Sequence, residues 1–141
     1  MFDDVHLVPE DGRAVAVFTA GHELRGALAD ALSWHVNRRF QTDALEAEKV
    51  IELRAAGALA DRLDELRGVE GRAPVRLNAD QVRMIIEAAS SYRSERDVEG
   101  YQSPEERDRL AMLASLIDPL FDLLGNLDRA DEVLAAQAFG R

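Results

Sequence analysis

The stretch LAMLASLIDPLFDLLGNL, residues 110–127, decides the fold class of this chain. Its apolar residues recur every three or four positions and keep one helical phase across Pro119, which is the spacing of an amphipathic α-helix. Proline inside a helix usually kinks it, so we expect a kink at Pro119 within a helix over residues 104–124. The alternative is a break at this point, with Asp118 capping a new helix.

Four other helices follow from the same kind of reasoning. Glycine often terminates helices, so we expect the helix over residues 104–124 to end at Gly125 and a short separate helix to follow. Apolar side chains at helical spacing predict three more helices earlier in the chain. The predicted helices outside residues 104–124 cover residues 19–40, 43–67, 79–97 and 128–138.

Polar residues that commonly cap helices mark the expected starts of these segments. Thr19 is placed as the N-cap of the first helix, and Thr42 or Asp43 as that of the second. Asn78 and Gln81 have the spacing of a capping box at the start of the third. These positions therefore predict where the first three helices begin.

The first residues of the chain have a different pattern. Two stretches with alternating apolar residues flank Asp11-Gly12, a dipeptide typical of tight turns, and this is the pattern of a β-hairpin. The alternative is that residues 14–18 begin the first helix, since short apolar runs fit either state. Residues 75–77 lie between a Gly/Pro break and a helix cap, and we expect them to be extended.

The composition fits one ordinary domain. The 141 residues are 47% hydrophobic and 31% charged, which is enough apolar material for a core in a chain of this length. No long linker divides the sequence. We therefore predict a mainly α fold, a single-domain bundle over residues 1–141 with four main helices, a short C-terminal helix and a small N-terminal hairpin within residues 1–18.

Charge and cysteine counts exclude several classes of function. The chain has 17 basic and 27 acidic residues, a formal net charge of −10, which disfavours direct binding to nucleic acid or to anionic membranes. The absence of cysteine excludes disulfides, thiolate metal sites and a cysteine nucleophile. With no leader pattern and no long uninterrupted apolar run, we expect a cytoplasmic protein without a membrane span.

No motif in the sequence identifies an enzyme, and phosphate-binding glycine loops and hydrolase nucleophile turns are missing. His22 and His35 are too far apart on one helix to share a metal ion. Asp118 and Asp122 lie opposite the apolar stripe of their helix and should face solvent, whereas paired catalytic carboxylates need burial or close approach. We therefore expect no catalytic residue, no metal and no cofactor.

Tyr92, Arg93 and Arg96 depart from a simple amphipathic pattern, because both arginines continue the apolar seam of the third predicted helix. One interpretation is structural: their stems cover the core and their guanidinium groups pair with nearby acids. The acids placed for this are Glu105, Glu106 and Asp108. The other interpretation is a regulator that binds a phosphorylated or other anionic small molecule through these three residues.

The second predicted helix is apolar over much of its circumference, which is typical of a helix covered on more than one side. We therefore predict a non-catalytic protein-interaction module, an adaptor or regulatory subunit, that binds another protein or a second copy as a homodimer. A further alternative is an acidic decoy that occupies a basic surface. The predicted interface residues are Val50, Leu53, Ala55, Gly57 and Ala58.

Overall fold

The computed structural model describes residues 2–42, 46–66, 69, 71–98 and 103–139. Within them the chain is mainly helical, as predicted, but it also contains a three-stranded sheet. The elements in chain order are β1 (Asp3–Glu10), β2 (Arg13–Ala20), α1 (His22–Thr42), α2 (Ala47–Glu65), β3 (Ala73–Asn78), α3 (Ala79–Val98) and α4 (Pro104–Phe139).

The hairpin at the start of the chain is present. β1 and β2 pair in antiparallel fashion, and Glu10 lies opposite Arg13 at the turn. Asp11 and Gly12 both have positive φ, 53° and 80°, as hairpin turns of two residues commonly require. The alternative in which residues 14–18 begin a helix is therefore wrong.

The prediction of a helical bundle is also wrong, because β3 joins the hairpin and makes a sheet with the order β1-β2-β3. Residues 75–77 are extended as expected, and Val75 lies opposite Phe18 of β2. Thr19 is paired with Pro74 within this sheet, so it does not cap α1, which begins at His22. The local sequence did not reveal the pairing, because the two strands are far apart along the chain.

The sheet is covered on one face. Alternate side chains of β2 and β3 are buried, and they share a hydrophobic core with residues from all four helices. On the opposite face β2 is half-buried, while Pro74 and Arg76 of β3 are exposed. The helices therefore lie on one side of the sheet, with α4 packed against β2 and α1 packed against α2 and α3.

The helix α4 is continuous over 36 residues, whereas two separate helices were expected. It passes through Pro119 without the break that Asp118 would have capped, and Gly125 does not end it. The physical reason is burial: Leu123 and Leu127 lie in the core on either side of Gly125, and this outweighs the cost of about 1 kcal/mol for a glycine in a helix.

The capping prediction is confirmed for α3. Asn78 and Gln81 make both reciprocal hydrogen bonds of a capping box, each 2.9 Å long. For α2 the predicted cap Thr42 is wrong, because Thr42 belongs to α1, and the alternative cap Asp43 lies outside the described residues. Glu46 holds the N-cap position of α2 without a side-chain hydrogen bond.

The outer strand β1 is exposed along most of its length, including Val5 and Leu7. Its pairing with β2 shifts register between Asp3 and His6, and Asp4 has a φ of 56°, which marks a bulge-like irregularity. Pro9, near the other end of the strand, has no backbone N–H to donate. The outer edge of β1 is therefore interrupted near both ends of the strand.

By length and composition, α4 could cross a membrane, since it contains a window with a mean hydropathy of 1.4. The core helix of a globular protein meets the same criteria, so this property does not distinguish the two. Leu113, Leu116 and Leu120 are fully buried within the protein. The cytoplasmic location stays a prediction.

Candidate functional site

The predicted ligand-binding residues lie on the C-terminal half of α3. Tyr92 is buried, and its ring meets the edge of Trp34 from α1 with the centroids 5.2 Å apart. Arg96 places its guanidinium carbon 5.8 Å from the Tyr92 ring centroid and its Nε 2.9 Å from Oε1 of Glu106. Tyr92 and Arg96 are therefore brought together, while Arg93 is half-buried on the same helix.

Carboxylates surround this cluster. Arg38 of α1 lies 3.0 Å from Glu95 of α3, and the buried His35 lies 3.8 Å from Glu87. The pairing of Arg96 with Glu106 is one that the structural interpretation expected, whereas the contacts of Arg38 with Glu95 and of His35 with Glu87 were not predicted. An anionic ligand at Arg96 would have to displace Glu106, so the ligand-binding hypothesis stays a prediction without support from the geometry.

The predicted interface residues of α2 fall on two different sides of the helix. Leu53 is buried, and Gly57 faces α1, where an added Cβ would lie 4.0 Å from Cγ1 of Val36. Ala55 and Ala58, by contrast, are exposed. Only part of the predicted set is therefore available to a partner, because α1 covers the rest.

A residue outside the predicted set is the most exposed large apolar side chain of α2. Ile51 is 68% exposed and lies one and two helical turns before Ala55 and Ala58. The three residues form an apolar stripe on the open side of the helix. The sequence placed Ile51 in the broad apolar arc of α2, but it gave no means of telling the covered part of that arc from the open part.

The two helices α1 and α2 run antiparallel, since only a short connection joins them. The end of α1 therefore lies beside the start of α2, which brings Phe40, 46% exposed, to the same end of the molecule as the exposed Ile51 and the half-buried Val50. We call Phe40, Val50 and Ile51 the α1–α2 end patch. Exposed apolar groups gathered in one place are typical of interaction surfaces.

A cleft of about 380 Å³ lies between the first turns of α1 and of α4. Its floor includes Gly26, Ala27 and Met112. Its polar lining includes His22 but is mostly acidic, and its one arginine, Arg109, pairs with Asp30 at 3.3 Å. The carboxylates that line it are Glu23, Asp30, Glu105 and Asp108.

These carboxylates do not form a metal centre. Among the described residues, no three histidine, aspartate or glutamate side chains are placed to hold one ion. The cleft therefore offers a negatively charged concave surface, which favours a cationic group on a partner rather than a chelated metal.

A second cleft, of about 460 Å³, lies between the end of α2 and β3. Its polar groups are largely engaged with one another: Arg62 donates to the backbone carbonyl of Arg76 at 3.0 Å, and Arg76 pairs with Glu10. Asn78 and Gln81, which also line it, are used in the capping box. This cleft offers few polar groups to a ligand.

Sequence reasoning missed a buried cation, Arg25 of α1, which is fully buried. Its guanidinium donates hydrogen bonds to backbone carbonyls of Gly21, Leu66, Val69 and Gly71. The one available signal was a charged residue next to Leu24 and Leu28 in the apolar stripe, and that signal alone does not indicate which groups the arginine would meet.

An ion-pair network joins β2, α3 and α4 on the surface. Arg13 lies 3.0 Å from Asp80, and Arg83 bridges Asp80 and Asp128 at 3.1 and 2.6 Å. The hydrogen bond from Arg13 is the main reason that the pKa of Asp80 lies below its usual value, and the Asp80 carboxylate raises the pKa of Arg13. Asp131 of α4 also accepts a hydrogen bond from the backbone N–H of Ala14, so this network fastens the helices to the sheet.

Comparison with known proteins finds no matching family model, no matching curated protein and no matching solved structure.

Proposed function

We propose that this chain is a non-catalytic protein-interaction module. Its partner, another protein or a second copy, contacts the α1–α2 end patch and the apolar stripe of Ile51, Ala55 and Ala58 on α2. The observation that carries the proposal is the exposure of Ile51, 68%, at the same end of the molecule as Phe40. Burial of such side chains in an interface is favourable because it removes apolar area from water.

The remainder of the α2 surface is consistent with an interface that has a polar rim. Glu48 and Glu52 lie one helical turn or less from Ile51, and Lys49 pairs with Glu52 at 3.3 Å. An apolar centre with charged residues around it is the usual anatomy of a protein–protein contact. The acidic character of this rim favours a partner with basic groups at matching positions.

Substitution of Ile51 by glutamate tests the proposal. Sedimentation velocity at several concentrations measures binding to a second copy, and affinity capture from the native host followed by mass spectrometry measures binding to other proteins. We expect I51E to lose the self-association or the captured partner of the wild-type chain. A partner that I51E retains unchanged would contradict the proposal.

Val133 of α4 supplies the matched control. It is 56% exposed and apolar, and it lies on a different helix. V133E should keep every interaction that I51E loses. If both variants lose the same partner, the effect comes from added negative charge and not from the α2 surface.

A second candidate function is binding of a basic segment in the cleft between α1 and α4, which corresponds to the predicted acidic decoy. Its four lining carboxylates favour this candidate. Binding through such groups should weaken strongly with added salt. An oligolysine peptide labelled with a fluorophore is a suitable probe for this cleft.

The test compares two double charge reversals on α4. E105K with D108K changes the cleft, whereas D118K with D122K changes exposed acids further along the same helix. We expect only the first pair to abolish oligolysine binding at moderate salt. Equal losses in both would mean that the peptide responds to overall charge, and the cleft would then have no special role.

A further inference from the structure

Arg25 is the strongest feature that the proposed function does not use. It lies in the first turn of α1 with no exposed surface, and its hydrogen bonds end on backbone carbonyls. Nη2 donates to Val69 at 3.0 Å and to Gly71 at 2.7 Å, Nε donates to Gly21 at 3.3 Å, and Nη1 donates to Leu66.

The chemistry of this contact is specific to a guanidinium group. A guanidinium has five N–H donors in a fixed plane, so it can reach several carbonyls in different directions. Leu66 follows the last turn of α2, so its carbonyl, which also accepts from the backbone N–H of Val69, lies at the negative end of the helix dipole. A buried cation is tolerated only where such groups replace its water shell.

The four carbonyls come from two separate parts of the chain. Gly21 immediately precedes α1, whereas Leu66, Val69 and Gly71 belong to the connection between α2 and β3. Gly71 has a φ of 75°, a conformation that glycine adopts without strain and other residues rarely adopt. The backbone at this point is therefore shaped to direct its carbonyl at the cation.

We propose that these carbonyls form a guanidinium-binding site that Arg25 occupies, and that its occupation holds the α2–β3 connection and thereby positions β3 in the sheet. The site takes a planar cation of the guanidinium class and discriminates against an ammonium, which concentrates its donors at one point. This inference is independent of the proposed interaction surface, because the site lies inside the protein.

Chemical rescue tests the site. R25A removes the side chain beyond Cβ, so the carbonyls of Val69 and Gly71 lose their guanidinium donor, while those of Gly21 and Leu66 keep only the backbone N–H groups of residues 25 and 69. We expect the melting temperature to fall by roughly 10 °C. Guanidinium chloride at tens of millimolar, well below denaturing concentrations, should raise the melting temperature of R25A relative to sodium chloride at equal ionic strength. Wild type, whose site is filled, should show no such increase.

R25M is the matched control, because it restores the bulk of the side chain but none of its donors. It should also melt earlier than wild type, and guanidinium should not rescue it since the space is filled. If R25A is as stable as wild type, or if R25A and R25M respond alike to guanidinium, the proposed site does not exist.

R25K provides a second variant that retains a buried cation if R25A fails to fold. We expect a lower melting temperature and a larger acceleration of hydrogen exchange at the amides of Val75 and Leu77 in β3 than at the amides of Leu116 and Leu120 in α4. Uniform acceleration across both elements would show only general destabilisation and would contradict a specific role in positioning β3.

Discussion

The two ends of α2 are held in different ways. At the C-terminal end Leu59 and Leu63 are buried and Arg25 binds the carbonyls that follow. At the N-terminal end Glu46 caps the helix without a side-chain hydrogen bond, and Ile51 extends into solvent. One end of the helix therefore contributes to stability, and the other carries the exposed surface that we propose for a partner.

We expect the largest difference in the free energy of unfolding between truncation of Leu63 at the C-terminal end and truncation of Ile51 at the N-terminal end. L63A should lower the free energy of unfolding by about 2–5 kcal/mol, because it leaves a cavity in the core. I51A should change it by less than about 0.5 kcal/mol, since most of that side chain is already in water. Urea unfolding measures both values, and similar losses would remove the distinction between the two ends.

β3 follows the C-terminal end of α2 and leads directly into the capping box of α3. N78A removes the side-chain oxygen that accepts from the backbone N–H of Gln81, so we expect a loss of about 1 kcal/mol. Ser115 is a control, because its hydroxyl donates to a carbonyl one turn earlier within α4 and caps no helix. S115A should be close to wild type in the same urea titration, and an equal loss would mean that the cap is not the source of the effect.

Gly57 lies between the two ends of α2 and faces α1. An added methyl group would meet Val36 at ordinary contact distance, so G57A should raise the free energy of unfolding by about 0.5–1 kcal/mol through helix propensity alone. The urea midpoint should increase without a change in slope. A decrease would show that α1 and α2 pack more closely at this point than the distance indicates.

The smallest expected effect concerns the ion pair of Arg13 and Asp80. Because the hydrogen bond from Arg13 lowers the pKa of Asp80 in the folded protein, its stabilising contribution is complete above the unfolded pKa near 3.8 and is lost as the pH falls through the folded pKa. Both side chains are about half exposed, so the contribution is at most about 1 kcal/mol.

D80N removes this contribution at every pH. The stability difference between wild type and D80N should therefore be present near neutral pH and decline below about pH 4. Urea midpoints across this range measure it. A difference that persists unchanged in acid would mean that Asp80 acts through its hydrogen bonds alone.

Local sequence patterns predicted much of the fold. The capping box of Asn78 and Gln81, the Asp11-Gly12 hairpin and the apolar phase of α4 are each determined by neighbours within a few residues. What local patterns could not supply was the partner of a short extended segment. The pairing of Val75 with Phe18 joins residues far apart in the chain, and only the folded backbone brings them together.

The candidate site was predictable only in part, for a similar reason. The apolar arc of α2 was visible in the sequence, but which side α1 covers depends on packing, so Gly57 was assigned to an interface and Ile51 was not. Arg25 was missed because its acceptors are backbone carbonyls, which every residue has and no sequence pattern marks. The four-residue spacing of Asp118 and Asp122, by contrast, correctly predicted an exposed face.

The interrupted outer edge of β1 has a consequence for the behaviour of the protein at high concentration. Between the left-handed Asp4 and the imino nitrogen of Pro9, only residues 5–8 can accept another strand. Segments that template amyloid fibrils need roughly six or seven uninterrupted residues. The exposed edge of β1 is therefore a poor template for ordered aggregation, even though Val5 and Leu7 are apolar.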